Sequence, residues 1–154
     1  MHTTSISSDA ARTLFTLKFY GSPQTMRRAV RKQWPESAKS IFHGVCFTDI
    51  TTTKWVVSQI ILAPCSETRK RGRETTLGVM LHECVHAANG CYTALRSLGR
   101  LKGVNQDEYI AYTTVGLYRY ASSWLYHNFS VPDRDVGFAD KHLSYACSKD
   151  NAIA

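Results

Sequence analysis

A histidine pair separated by three residues is the feature of this sequence with the clearest capacity for chemistry. His82, Glu83 and His86 lie in the stretch M-L-H-E-C-V-H-A-A-N and form an H-E-x-x-H pattern. On a helix, residues four apart lie one above the other, so both imidazoles can reach one metal ion. Zinc accepts neutral imidazole nitrogen and carboxylate oxygen in a tetrahedral shell. The spacing predicts a zinc site on a helix, with Glu83 beside the ion as a general base.

The residues around the pair have the periodicity of an amphipathic helix. Its apolar stripe is Leu77, Met80, Leu81, Cys84, Val85, Ala88 and Leu95. A second face, in steps of four, is Gly78, His82, His86 and Gly90. Glycine inside a helix costs about 1 kcal/mol relative to alanine, so both glycines need a reason. One reason is clearance for a metal, a substrate or another helix. The others are close helix packing and a helix end at Gly90.

Two histidines leave a zinc shell incomplete, because zinc enzymes usually take three protein ligands and a water. Acidic residues open the next predicted helix, which runs from Gln106 to about Asn128. We expect Glu108 to be the third ligand, with Asp107 as its main competitor. The rival explanation for Glu108 is a capping box, with Asn105 as the N-cap and Glu108 at the third helical position. The two roles are compatible, since a helix N-terminus keeps a ligand carboxylate ionised.

These motifs resemble those of gluzincins, the zinc peptidases with H-E-x-x-H on one helix and a glutamate ligand on the next. The run H-E-C-V-H-A-A-N followed by D-E-Y-I-A-Y is more closely similar to small zinc metallopeptidases encoded by phages and prophages. The resemblance implies a peptidase in which His82, His86 and Glu108 hold the zinc ion. It also implies that Glu83 activates the attacking water as the general base.

Two positions depart from related patterns. A metzincin would carry a third histidine six residues after His86, and that position is Tyr92, so the metzincin pattern is excluded. Large gluzincins carry an aspartate four residues after the glutamate ligand, which steadies the first histidine, and here Tyr112 occupies that position. Tyr112, His127 and His142 are candidate donors to a developing oxyanion. A purely structural or exposed role is the alternative for each.

Composition and patterning predict one α+β domain over residues 1–154, with residues 1–11 as a loose polar tail. The chain has a net charge of +7, and 44% of its residues are hydrophobic, which is ordinary for a globular protein. No apolar segment of a secretory signal follows Met1, and the longest apolar run, Trp55 to Pro64, is too short to span a bilayer. The five cysteines form no C-x-x-C pair. We expect a cytoplasmic location, in the bacterial host if phage-encoded, and no membrane contact. The oligomeric state stays open.

Several shorter elements are expected to support the two helices. Phe15, Leu17 and Phe19 alternate with polar residues and predict a strand, and Ser22-Pro23 predicts the start of a helix that ends near Trp34. The runs Ile41 to Ile50 and Trp55 to Leu62 predict a β-hairpin. The resemblance implies a zincin-like fold, a small antiparallel or mixed sheet packed against the H-E-x-x-H helix and the ligand helix. It further implies that Trp55 to Leu62 is the edge strand that pairs with an extended substrate.

Basic residues form two groups. One group, expected in a charged loop before the H-E-x-x-H helix, is Arg69, Lys70, Arg71 and Arg73; the other is Arg27, Arg28, Arg31 and Lys32. Such clusters contact nucleic acid or an acidic partner, or they only keep a surface solvated. The main functional expectation is a zinc metallopeptidase that acts on a peptide or protein substrate. The alternative is a zinc-stabilised binding or inhibitor protein whose basic surface contacts a host protein or nucleic acid.

Overall fold

A small mixed sheet and three helices make up the part of the chain that the computed structural model describes, which is residues 1–36, 42–69, 72–129 and 131. The strands of the main sheet are β1 (His2–Ser8), β2 (Thr13–Phe19), β3 (Gly44–Ile50) and β4 (Val56–Leu62). Strands β5 (Ser66–Arg69) and β6 (Gly72–Thr75) form a separate two-stranded ribbon. The helices are α1 (Pro23–Gln33), α2 (Thr76–Ser97) and α3 (Gln106–Phe129). The α+β class expected from the sequence is confirmed.

The strand order β1-β2-β4-β3 places β4 inside the sheet. β4 pairs antiparallel with β3, as the hairpin prediction requires, and its other side pairs parallel with β2. The expectation that Trp55 to Leu62 forms the edge strand is therefore wrong, because β3 forms that edge. The pairing of β2 with β4 joins segments about 40 residues apart, and local periodicity carries no information about such pairings.

The N-terminal residues form an ordered strand, which corrects the expectation of a loose tail over residues 1–11. β1 pairs antiparallel with β2 along its whole length, from His2 opposite Phe19 to Ser8 opposite Thr13. Tyr120 of α3 donates a hydrogen bond from its hydroxyl to the Ser5 carbonyl at 2.8 Å. Most side chains of β1 are exposed. An edge strand without a buried face has no alternating pattern for sequence analysis to detect.

Helix α1 covers one face of the sheet, and its predicted start is confirmed. The Ser22 hydroxyl oxygen accepts the backbone N–H of Thr25 at 3.2 Å, and Pro23 begins the helix. Met26 and Val30 are fully buried in a cluster with Ile61 of β4. Side chains along a strand point alternately to opposite faces of the sheet. Ile61 of β4 therefore contacts α1 on one face, and its neighbours in the strand point to the other face.

Helices α2 and α3 pack together against the other face of the sheet. Their central core includes Leu17, Phe19, Ile60, Leu62, Met80, Cys84, Leu117 and Leu125. Both predicted helices are confirmed, but the buried stripe of α2 is rotated from the expected one. Val85 is 41% exposed, whereas Glu83 and Ala87 are buried. The rotation arises because α2 packs against β3 as well as α3, which buries a second side of the helix.

The basic segment before α2 has regular backbone pairing where a loop was expected. β5 and β6 pair antiparallel from Ser66 opposite Thr75 to Arg69 opposite Gly72. Lys70, Arg71 and His142 lie outside the described residues. Within the described ranges, no helix is long and apolar enough to cross a membrane.

Candidate metal centre

Helix α2 carries the histidine pair near its middle. The helix begins after Thr75, whose hydroxyl accepts the backbone N–H of Gly78 at 3.3 Å, and continues to Ser97. The reading of Gly90 as a helix end is therefore wrong. A helix of this length, packed on the sheet and on α3, gives the pair a rigid base, as a site with fixed ligand geometry requires.

The two imidazoles converge. Both side chains are exposed, and the Nε2 atoms of His82 and His86 lie 3.0 Å apart. Their ring centroids are 4.6 Å apart at an interplanar angle of 72°. Two nitrogen ligands on one tetrahedral zinc, each about 2.05 Å from the ion, are about 3.3 Å apart. The pair is thus close to the separation that one shared zinc ion would require.

Glu83 points away from solvent, towards β3. Its side chain is only 6% exposed, and burial raises the pKa of its carboxyl to about 7. Desolvation has this effect because a low-dielectric surrounding disfavours the charged form. A carboxyl group with a pKa near neutrality can both accept and release a proton, which is the requirement for general acid–base catalysis.

Close approach of β3 to α2 creates this environment. A Cβ atom at Gly44 would lie 2.6 Å from Val79 Cγ1 and 3.0 Å from the Glu83 side chain. A Cβ atom at Gly90 would lie 2.5 Å from Thr48 Oγ1. Both glycines are therefore required by packing. The close packing at Gly90 is with strand β3, whereas packing against another helix was considered from the sequence.

A groove of about 440 Å³ runs between β3 and α2. Its lining includes Gly44, Cys46 and Thr48 from the strand and Glu83, His86 and Gly90 from the helix. The contribution of β3 to the site was missed by sequence analysis. The available signal was Gly44, a glycine at the start of a β-rich run, which indicates close approach of another element.

Two thiols lie in the surroundings of Glu83. Burial and the charge of Glu83 raise the pKa of Cys46 to about 12. Burial, together with the charges of Cys46 and Glu83, raises the pKa of Cys84 to about 12. The thiolate is the form that binds metals and attacks substrates, and it is disfavoured at both positions. Both thiols are therefore neutral in the metal-free protein.

Glu108 does not lie beside the histidine pair. Its side chain is exposed, and its backbone N–H donates to Asn105 Oδ1 at 3.1 Å, which confirms Asn105 as the N-cap of α3. The next residue, Tyr109, has its hydroxyl 3.1 Å from Cys91 Sγ. Cys91 is five residues beyond His86, or about 7.5 Å along the helix. The first turn of α3 is therefore level with a later part of α2.

No group of three His, Cys, Asp or Glu side chains within the described part of the chain is arranged to hold a metal ion. The structure brings His82, Glu83 and His86 together and leaves Glu108 apart from them. Asp107, the competitor for the third position, is exposed on the same first turn of α3. The imidazole pair thus fits one shared zinc ion, whereas no third protein ligand in the described residues lies beside it.

The remaining candidates occupy different places. Tyr112 is 76% exposed on α3. His127 is exposed near the end of α3, with its ring 5.4 Å from that of Tyr126. It is 18 residues, or about 27 Å of helix, beyond Tyr109. Because α3 runs antiparallel to α2, with Tyr109 beside Cys91, His127 lies well past the level of His82.

Comparisons with known proteins do not identify a family for this chain. No protein-family model matches it, and neither a curated protein nor a solved structure does. The resemblance to gluzincins therefore depends on the residues of α2 and α3 alone. The zincin-like character of the fold stays a prediction.

Proposed function

We propose that this protein is a zinc-dependent hydrolase that cleaves peptide bonds. The observation that carries the proposal is the convergence of the His82 and His86 Nε2 atoms, 3.0 Å apart, beside a buried carboxyl group. The two nitrogens are within hydrogen-bond distance of each other, and the same separation suits one shared metal ion, while burial of a carboxyl group is a cost to the fold. A cost of this kind is typical of a functional site.

His82 and His86 are the proposed first two zinc ligands, and Glu108 is the proposed third. For Glu108 to join them, the first turn of α3 must move along α2, because Tyr109 now contacts Cys91 and Tyr92. Such a movement would break the contacts of Tyr109 with Cys91 and Tyr92, whereas Asp107 and Glu108 on the same turn are exposed and free of the core. Bound zinc supplies a Lewis acid that polarises the scissile carbonyl and acidifies a water molecule.

Glu83 is the proposed general base. Its carboxylate takes a proton from the attacking water and then delivers it to the nitrogen of the leaving amine. The buried position keeps bulk water away from the carboxylate, which strengthens its electrostatic interactions with the reacting groups.

The edge of β3 that pairs with no other described strand is the proposed substrate contact. β3 is one of the two edge strands of the described sheet and lines the groove that also contains Glu83 and His86. An extended peptide can add to such an edge through main-chain hydrogen bonds. This gives affinity with little sequence preference, and it aligns a peptide bond along the groove.

A peptide library incubated with the zinc-loaded protein tests the proposal, with cleavage followed by mass spectrometry. We expect hydrolysis by the wild type and a loss of at least about 100-fold for Glu83→Gln, which removes the proton acceptor. The zinc content of the two proteins should be equal, since the proposed ligands are unchanged. A separate comparison uses cells that express either protein. If Glu83→Gln keeps its zinc and has the same effect on the cells as the wild type, the peptidase proposal is wrong. A zinc-stabilised binding protein then replaces it.

A further inference from the structure

A second concave site lies at the far end of α2, away from the histidine pair. It has a volume of about 350 Å³ and is bordered by the last turn of α2 and the loop that leads to α3. Two of its lining residues, Arg96 and Lys102, are exposed cations. Tyr92, which is 6% exposed, forms a buried wall of the same cavity.

The loop around this cavity has a defined conformation. Gly99 and Gly103 have φ values of 70° and 74°, in the left-handed region that favours glycine. The Gly99 N–H donates to the Arg96 carbonyl at 2.9 Å, and the Arg100 N–H donates to the Leu95 carbonyl at 3.0 Å. The carbonyl groups at the end of α2 are therefore largely satisfied. The cations of the loop are not needed to satisfy them.

Positive charge accumulates at this end of α2. Arg96, Arg100 and Lys102 lie within seven residues, and in the described ranges none of them makes an ion pair with a carboxylate. The Arg100 Nη1 atom is buried and has no hydrogen-bond partner in the described residues, although Arg100 does not line the cavity. A buried guanidinium nitrogen without a partner loses hydration that nothing replaces. An attraction between Arg96 and the α2 dipole accounts for one of these charges but not for the other two.

We propose that this cavity binds the carboxylate of an acidic peptide segment. Arginine and lysine both form charge-assisted hydrogen bonds with carboxylates, and the arginine fork binds them through two bonds. A nucleic acid is the less suitable occupant. Single-stranded binding sites present exposed aromatic rings on which bases stack, whereas the Tyr92 ring is buried beside that of Tyr109, with 5.5 Å between ring centroids.

The cavity and the histidine pair lie on the same helix, and their separation predicts a substrate preference. This prediction rests on the proposed function. Arg96 is ten residues beyond His86 on the same helix, or about 15 Å along its axis. An extended peptide covers about 3.3 Å per residue. Arg96 also lies about 80° around the helix axis from His86, so the acidic residue is at least four or five residues from the peptide bond that is cleaved. The site would select substrates that carry an acidic residue at that distance.

Binding to metal-free protein tests the cavity separately from hydrolysis. The probes are a dye-labelled peptide with two adjacent glutamates, the same peptide with glutamines, and a single-stranded oligonucleotide, followed by fluorescence anisotropy. We expect the glutamate peptide to bind more tightly than the glutamine peptide. The double variant Arg96→Gln/Lys102→Gln should weaken binding of the glutamate peptide by about tenfold, because two exposed charge contacts are lost. Lys102→Gln alone, in an exposed loop, should weaken it by about threefold.

The double variant Arg28→Gln/Lys32→Gln is the matched control, since it removes two exposed charges from α1. It should leave binding within about twofold of the wild type. Equal affinity for the glutamate and glutamine peptides, or an equal loss in the control, would overturn the acidic-peptide site. Oligonucleotide binding that needs Arg96 and Lys102 while the peptide does not bind would assign the cavity to nucleic acid. Because no zinc is present, these results do not depend on the peptidase proposal.

Discussion

The Nε2 atoms of His82 and His86 lie 3.0 Å apart on the exposed side of α2, while Glu83, between them in sequence, is buried against β3. One helix thus presents two metal-binding groups to solvent and one proton-accepting group to a groove. The division follows from helical geometry, because residue i+1 lies about 100° around the axis from residue i. The close approach of Gly44 to the Glu83 side chain contributes to the burial of this residue.

Replacement of Gly90 by alanine tests the close packing of α2 on β3. The added Cβ would lie 2.5 Å from Thr48 Oγ1, so the strand must shift. Overpacking of this kind costs about 1–3 kcal/mol, against a gain of about 1 kcal/mol from the helix propensity of alanine. We expect a net decrease in the free energy of unfolding, measured by denaturant titration. Gly116→Ala in α3 is the control, because a Cβ there meets nothing within 4 Å and should stabilise the protein. Equal stabilisation by both variants would contradict the packing.

The buried carboxyl group of Glu83 predicts a pH-dependent stability in metal-free protein. Its folded pKa, about 7, is above the ordinary value of 4.5, so the folded state binds the proton more tightly than the unfolded state. Stability is therefore full below about pH 4.5 and decreases as the pH rises to about 7, by on the order of 3 kcal/mol. Glu83→Gln should be more stable than the wild type at pH 8, and the difference should disappear at low pH.

Thermal unfolding of both proteins between pH 4 and 8, with a chelator present, measures this difference. Glu36→Gln, at an exposed position, is the matched control and should have the same pH profile as the wild type. If Glu83→Gln also follows the wild-type profile, Glu83 is not desolvated in solution and the groove is open to water.

Substitution of Glu108 separates its two proposed roles. Glu108→Gln keeps the size of the side chain and the backbone N–H that donates to Asn105. If Glu108 is a zinc ligand, its replacement by glutamine should lower the zinc affinity by at least about tenfold. Asp107→Asn, on the same turn, should leave the affinity unchanged, whereas Asn105→Ala should cost about 1 kcal/mol of stability by removing the cap. Equal zinc affinity of wild type and Glu108→Gln would leave Glu108 with its structural role alone.

Much of the structure could be predicted from local sequence signals. The period of 3.6 located α2 and α3, Ser22-Pro23 located the start of α1, and Asn105 was identified as a cap. These features depend on neighbouring residues, whose spacing is visible in the sequence. The orientation of the histidine pair followed from the same spacing, since both residues belong to one helix.

The features that were missed depend on contacts between distant segments. Because β2 pairs with β4, the edge strand on that side of the sheet is β3 rather than β4. β1 is a strand although its residues have no alternating apolar pattern. The burial of Glu83 needs β3, more than 30 residues earlier in the chain, to lie against α2. The separation of Glu108 from His86 depends on where α3 begins relative to α2, which the contact of Tyr109 with Cys91 determines. None of these relations has a local signature.

Zinc stoichiometry is the most direct test of the metal site. The protein is purified without added metal, incubated with zinc, freed of unbound ions and measured by elemental analysis. We expect about one zinc ion per chain, and a loss of zinc in His82→Ala/His86→Ala, because that variant removes both converging nitrogens. His127→Ala, which removes an exposed histidine elsewhere on α3, should keep the full zinc content. A wild-type stoichiometry near zero, or full zinc binding by His82→Ala/His86→Ala, would contradict the metal site.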